Sequence, residues 1–140
     1  MKRCNYYIAY GSNLSLYEMS YRCPTAKLIG LGYLEDWELA FRYYLDIQPC
    51  KGAKVPIALY EIHKEDKWAL NQYENFPTLY HLEFVDVKVD GKTYKGFVYV
   101  MNQDCYPYAL PSIGYLERVA YAYKELGFDT DYLINAVKVV

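Results

Sequence analysis

Apolar and aromatic residues run from Tyr6 to Tyr10 and stop at Gly11-Ser12-Asn13, the pattern of a strand entering a turn. A helix is expected next from about Leu14 to Arg22, with Ser12 or Asn13 as its N-cap and Pro24 closing it. Ala26 to Leu34 and Glu38 to Leu45 are apolar-rich and read as two strands joined at Glu35-Asp36. Asp46 to Lys54, with Pro49 and Gly52 and no periodicity, reads as a loop; Val55 to Ile62 is a strand whose Pro56 points to an edge or bulge. Lys64 to about Tyr73 fits a short helix with Glu65 and Asp66 in its first turn, stopped by Asn75 and Pro77.

Tyr80 to Val89 and Lys92 to Met101 flank Asp90-Gly91, the strongest hairpin signal in the chain. The apolar phase slips by one residue near Phe84, which predicts a bulge there that would curl the sheet. After a loop over Asn102 to Pro111, Ser112 caps a helix to Leu126 on a stripe of Ile113, Leu116, Val119/Ala120 and Tyr123, and Gly127 ends it. A last short helix runs from Thr130 to about Ala136. The order βα, ββ, βα, ββ, αα fits neither a doubly wound alternation nor a sandwich. The expected class is α+β: a small mixed sheet or barrel with helices packed outside.

The length of 140 residues suits one domain over 1–140, and a formal net charge of −2 with no basic run beyond Lys2-Arg3 argues against nucleic acid and anionic membranes as partners. No apolar run approaches the ~20 residues of a bilayer span. Cys4, Cys23, Cys50 and Cys105 lack Cys-x-x-Cys spacing, so free thiols in a reducing cytoplasm are expected. A homodimer is left open. Nineteen tyrosines place phenols where Phe or Leu would serve packing alone; most belong on half-buried strand faces, and some are available to line a wet pocket.

Metal binding has little support, since His63 and His81 are the only histidines and neither has a second ligand at helix or turn spacing. No cofactor motif is present: Gly11-Ser12-Asn13 has neither the spacing nor the lysine of a nucleotide loop. That turn leaves backbone N–H groups at a helix start, which suits an anion such as a carboxylate or phosphate and equally suits an ordinary cap. Glu74 stands out among the acidic residues. It ends a short helix among Trp68, Leu70, Tyr73 and Phe76, where poor hydration would raise a carboxyl pKa toward the range of a general base; the alternative is a solvated glutamate in a turn.

Taken together, these segments resemble the γ-glutamylcyclotransferase family, which includes AIG2-like proteins. The likeness rests on Tyr10-Gly11-Ser12-Asn13-Leu14 after a short strand, Pro24-Thr25-Ala26, Tyr33 to Phe41, Leu70-Asn71-Gln72-Tyr73-Glu74-Asn75, Tyr80, Tyr99-Val100-Met101 and Pro111-Ser112-x-x-Tyr115, in the family's order. Asn71 and Asn75 stand where the family has aspartate and glycine. The resemblance implies a small mixed barrel whose mouth holds a γ-glutamyl group, with Gly11, Ser12 and Asn13 binding it, Tyr10, Leu14, Tyr80 and Tyr115 lining the pocket, and Glu74 as acid/base. It also implies a cofactor-independent release of 5-oxoproline from a small γ-glutamyl compound. A non-catalytic binding module with the same pocket, and a specialised cyclotransferase that removes a γ-glutamyl protecting group, are the competing readings.

Overall fold

The structure is a computed structural model that describes residues 5–102 and 105–140; Lys2, Arg3, Cys4 and positions 103–104 of the expected loop lie outside the described residues. Five strands, β1 (Asn5–Ala9), β2 (Lys27–Arg42), β3 (Tyr44–Ile62), β4 (Tyr80–Val89) and β5 (Lys92–Met101), close a barrel in the order β1-β3-β2-β4-β5. The closing β1–β5 contact is parallel, with Tyr7 opposite Phe97; the others are antiparallel. Among the described residues four helices accompany it: α1 (Leu16–Arg22), α2 (Lys64–Tyr73), α3 (Ile113–Leu126) and α4 (Asp131–Lys138). This is the α+β mixed barrel expected from the element order.

Two seams are narrow enough to require glycine. A Cβ on Gly96 would lie 2.9 Å from the Ile8 side chain where β5 meets β1, and one on Gly32 would lie 2.8 Å from the Lys88 carbonyl oxygen where β2 meets β4. The core inside is filled by Ile8, Phe41, Ile57, Leu59, Phe97 and Tyr99 among others, all nearly inaccessible to water.

Several expectations are corrected. Ala26–Leu34 and Glu38–Leu45 form one long strand, β2, because Asp36 takes a left-handed φ of 67° and absorbs the polar pair as an irregularity rather than a turn. Asp46–Lys54 is strand and not loop. Its Pro49 pairs with Trp37 beside the register shift, and Gly52 donates its N–H to Asp36 Oδ1 at 3.0 Å, so the turn-forming residues serve a bulge inside a hairpin. The actual turn is at Tyr43, φ 67°, between Arg42 and Tyr44, which pair with each other.

No bulge occurs at Phe84. β4 and β5 pair without a shift, and Phe84 is 65% exposed, so the slip in pattern reflects a solvent-facing aromatic. Ser112 caps α3 through the Tyr115 N–H and Gly127 ends it in the left-handed region, as expected. The buried stripe of α3 is Tyr115, Val119, Ala122 and Tyr123; Ile113, expected on that stripe, is exposed. No helix among the described residues is long and apolar enough to cross a membrane.

Candidate active site

β1 delivers Tyr10 and the following turn to one end of the barrel. Ser12–Leu14 is a single 3₁₀ turn, closed by Leu14 N–H to the Gly11 carbonyl at 3.0 Å and Ser15 N–H to the Ser12 carbonyl at 3.1 Å. The N-cap of α1 is therefore Ser15, whose Oγ accepts from the Glu18 N–H at 3.2 Å, and not Ser12 or Asn13. The extra turn changes which amides are available. Leu14 N–H is spent, leaving those of Gly11, Ser12 and Asn13 without a hydrogen-bond partner among the described residues.

The side chains of this turn are pinned. Ser12 Oγ and Tyr73 Oη are 2.6 Å apart, and Asn13 Nδ2 donates to Tyr7 Oη at 2.9 Å. The Asn13 carbonyl oxygen accepts from Arg22 at the end of α1. Leu14 is fully buried and packs in the core rather than lining the pocket, so its part is to anchor the turn.

A cavity of about 410 Å³ lies over the turn, and eight of the nineteen tyrosines line it. Tyr10, Gly11, Ser12, Asn13, Tyr80, Tyr115 and Glu74 all border it. Its phenols are tied largely to backbone: Tyr10 donates to the Tyr99 carbonyl at 2.7 Å and Tyr80 to the Leu45 carbonyl at 2.9 Å, while Tyr115 Oη accepts from the Leu45 N–H at 3.1 Å. Such bonds fix ring orientation in a way Phe could not. A Cβ at Gly11 would meet Tyr115 Oη at 3.6 Å and Leu45 Cβ at 3.7 Å, ordinary contacts, so packing does not demand the glycine. What it leaves open is cavity floor.

Glu74 is the C-cap residue of α2, where the Leu70 carbonyl takes its N–H at 2.9 Å. Asn75 follows at φ 53°, which turns the chain away at once, and Asn71, one helical turn before, accepts from Tyr99 Oη at 2.6 Å and fastens α2 to β5. The Glu74 carboxyl has no hydrogen bond or ion pair to any described residue. Its withdrawal from water raises its pKa from 4.5 to about 7, against a smaller lowering by the Arg22 cation. The desolvating neighbours differ from those expected from the helix. Trp68 is 67% exposed and points away, and the barrel tyrosines of the cavity take its place.

Tyr7 and Tyr99 also belong to the cavity, and no local motif marks them as such. Their signal was the position of β1 and β5 at the parallel seam, which only the closed barrel reveals. Burial pushes the pKa of Tyr7, Tyr10, Tyr80, Tyr99 and Tyr115 well up, so these phenols stay protonated hydrogen-bonding groups at neutral pH.

Among the described residues no three His, Cys, Asp or Glu side chains converge as a metal-ligand set. His63 opens α2, its N–H donating to Asp66 at 2.9 Å, and His81 is held between Asn102 and Glu83. Cys23, Cys50 and Cys105 are free thiols that do not line the cavity; burial pushes Cys23 up to about 11, away from nucleophilic character. Cys23→Ser, Cys50→Ser and Cys105→Ser are accordingly expected to keep turnover within about twofold, with a chelator equally without effect; a chelator-inactivated protein restored by metal would contradict this.

Asn75 offers a second test of local geometry. Asn tolerates the left-handed region better than β-carbon-bearing residues without a short polar group, so Asn75→Ala should cost about 1 kcal/mol of stability while Asn75→Gly stays near neutral. Thermal unfolding of the three proteins side by side checks it.

The profile of the family described as gamma-glutamyl cyclotransferase, AIG2-like, matches residues 7–118, a span that holds the turn, Glu74 and Tyr115. No functionally curated protein matches the chain by sequence. Similar solved structures include a gamma-glutamyl cyclotransferase at 24% identity and TM-score 0.82, covering 96% of this chain and 86% of that one. An uncharacterized protein from Homo sapiens is likewise 24% identical with TM-score 0.84, covering 96% and 87%. An AIG2-like protein from Mus musculus is 20% identical with TM-score 0.61, covering 77% and 87%. At these identities the likeness is one of fold.

Proposed function

Because the chain belongs to the gamma-glutamyl cyclotransferase, AIG2-like family, we propose that it releases 5-oxoproline and a free amine from a γ-glutamyl compound by attack of the substrate's own α-amine on its γ-carbonyl. The observation that carries this reading is Glu74, a carboxyl with a pKa of about 7, set in the same cavity as the Gly11, Ser12 and Asn13 N–H groups, none of them hydrogen-bonded among the described residues.

The reaction takes two protons from the α-ammonium and delivers two to the leaving nitrogen, which departs as an ammonium ion. Glu74 as carboxylate takes a proton from the α-ammonium; the freed nitrogen attacks the γ-carbon, giving a tetrahedral oxyanion. As that collapses, the C–N bond to the leaving amine breaks, and the protonated Glu74 gives its proton to the departing nitrogen. The second proton of the ring nitrogen passes to the departing amine, so a neutral lactam, the amine as its ammonium ion and ionised Glu74 remain, and no oxidant, cofactor or water is consumed. A carboxyl poised near neutral pH is suited to both halves. The cavity contributes by folding the substrate into attack geometry, and well-oriented intramolecular reactions reach effective molarities of ~10⁵ M or more. The amides of Gly11, Ser12 and Asn13 suit the α-carboxylate or the developing oxyanion, both of which call for preorganised donors.

The test is product stoichiometry against pH. With γ-glutamyl-alanine, 5-oxoproline and alanine should appear in equal amounts, and kcat/KM should rise through pH about 7 as Glu74 ionises. Tight binding of γ-glutamyl compounds without turnover, over a wider panel of γ-glutamyl amines, would favour the binding module instead.

A further inference from the structure

Resting on the cyclotransferase reading above, we propose that Arg22 is a positioning residue of the site: its guanidinium clamps the Gly11–Asn13 turn to the Tyr73–Glu74 end of α2 and supplies the positive field in which Glu74 works. Arg22 is the last residue of α1 and does not itself border the cavity. Its Nη1 donates to the Asn13 side-chain carbonyl, and its Cζ lies 3.5 Å from the centre of the Tyr73 ring. Tyr73 in turn meets Ser12 Oγ at 2.6 Å, so one guanidinium fastens both ends of that contact. On the outer side Nη2 is held by Glu18 Oε1 at 3.2 Å, and Arg118 of α3 reaches the same carboxylate at 4.0 Å.

This arrangement does two separable things. A planar fork stacked on a ring and bonded to an amide fixes where the free N–H groups point, which lysine cannot reproduce. The charge sits beside Glu74, because the Arg22 guanidinium stacks on Tyr73, the residue before it; the phenols of Tyr7, Tyr10, Tyr80, Tyr99 and Tyr115 that face the carboxyl are neutral near pH 7, so among the described residues Arg22 is the cation that opposes the desolvation of Glu74. Arg22→Lys keeps the charge and loses the fork; Arg22→Gln keeps a side-chain amide donor for Asn13 and loses the charge.

The pH profile of kcat/KM for 5-oxoproline release separates these roles. In Arg22→Gln the acid limb should move to higher pH by roughly half a unit or more, as expected when a nearby opposite charge is removed. In Arg22→Lys the limb should stay with the wild type while KM rises several-fold. Loss of rate in Arg22→Gln with an unmoved limb would reduce Arg22 to a structural support and overturn the proposal, and so would a displaced limb in Arg22→Lys, which decides the matter if the Gln variant does not fold. If the wild type releases no 5-oxoproline, the cyclotransferase reading fails on its own. The field is then read from thermal unfolding: the pH at which wild type and Glu74→Gln diverge in stability should shift upward in the R22Q background, and an unchanged pH would overturn the inference.

Discussion

Glu74→Gln is expected to fold and to lose at least ~10²-fold in turnover, the usual contribution of a positioned general base. Glutamine has the same shape and cannot carry the proton. The variant has a second expected property that separates loss of chemistry from loss of structure. The Glu74 pKa is raised from 4.5 to about 7 by the fold, so the protonated carboxyl is favoured in the native state. That contribution to stability is fully present below pH 4.5 and is lost as pH rises through about 7; its size is roughly 3 kcal/mol. Glutamine does not titrate. The variant should therefore gain on the wild type in thermal unfolding between pH 5 and pH 8, by several degrees at the upper end. Near-normal turnover in a folded Gln variant would remove Glu74 from the mechanism, and melting temperatures that run parallel across that pH range would contradict its desolvated setting.

The second large effect concerns which glutamyl linkage reacts, and it follows from ring size. Attack of the α-nitrogen on the γ-carbonyl closes a five-membered ring, whereas attack on the α-carbonyl would close a three-membered one. γ-Glutamyl-alanine should therefore react and α-glutamyl-alanine should be inert. The attacking nitrogen must be a free amine that Glu74 can deprotonate, so N-acetyl-γ-glutamyl-alanine should also be inert, even where it binds. Offering the three compounds in parallel and assaying 5-oxoproline and alanine is an all-or-none comparison. Alanine from the acetylated compound would mean that water, and not the α-amine, is the nucleophile.

Much of this site can be read along the chain because its parts are local. The strand, turn and helix around Gly11 lie within a few residues of one another, and Ser112 and Gly127 bracket α3 through caps written in the sequence. Glu74 is conspicuous for the same reason, as a carboxyl at a helix end beside a turn. What escapes local reading depends on closure of the barrel. Tyr7 and Tyr99 enter the cavity because β1 and β5 meet in parallel, a contact between residues some ninety positions apart.

Other misreadings have one physical cause, that a turn-forming residue does not always make a turn. Asp36, Pro49 and Gly52 act inside a long hairpin as irregularities, with Asp36 and Gly52 in the left-handed region. The chain consequently runs extended through Asp46, which is only 4% exposed and accepts from the Met101 N–H at 2.8 Å. Its neighbour Leu45 holds both Tyr80 and Tyr115 through its backbone. A segment expected to be a surface loop is thus part of the wall of the site. Leu14, expected in the pocket, serves the core beside the Gly11–Asn13 turn instead.

The central claim is intramolecular cyclisation in the cavity of Glu74, and mass analysis of the product formed from γ-glutamyl-alanine in ¹⁸O-labelled water tests it most directly. The expected product is 5-oxoproline without label, released one-for-one with alanine, because no oxygen from solvent enters the ring closure. Labelled free glutamate would mean hydrolysis and would contradict the account.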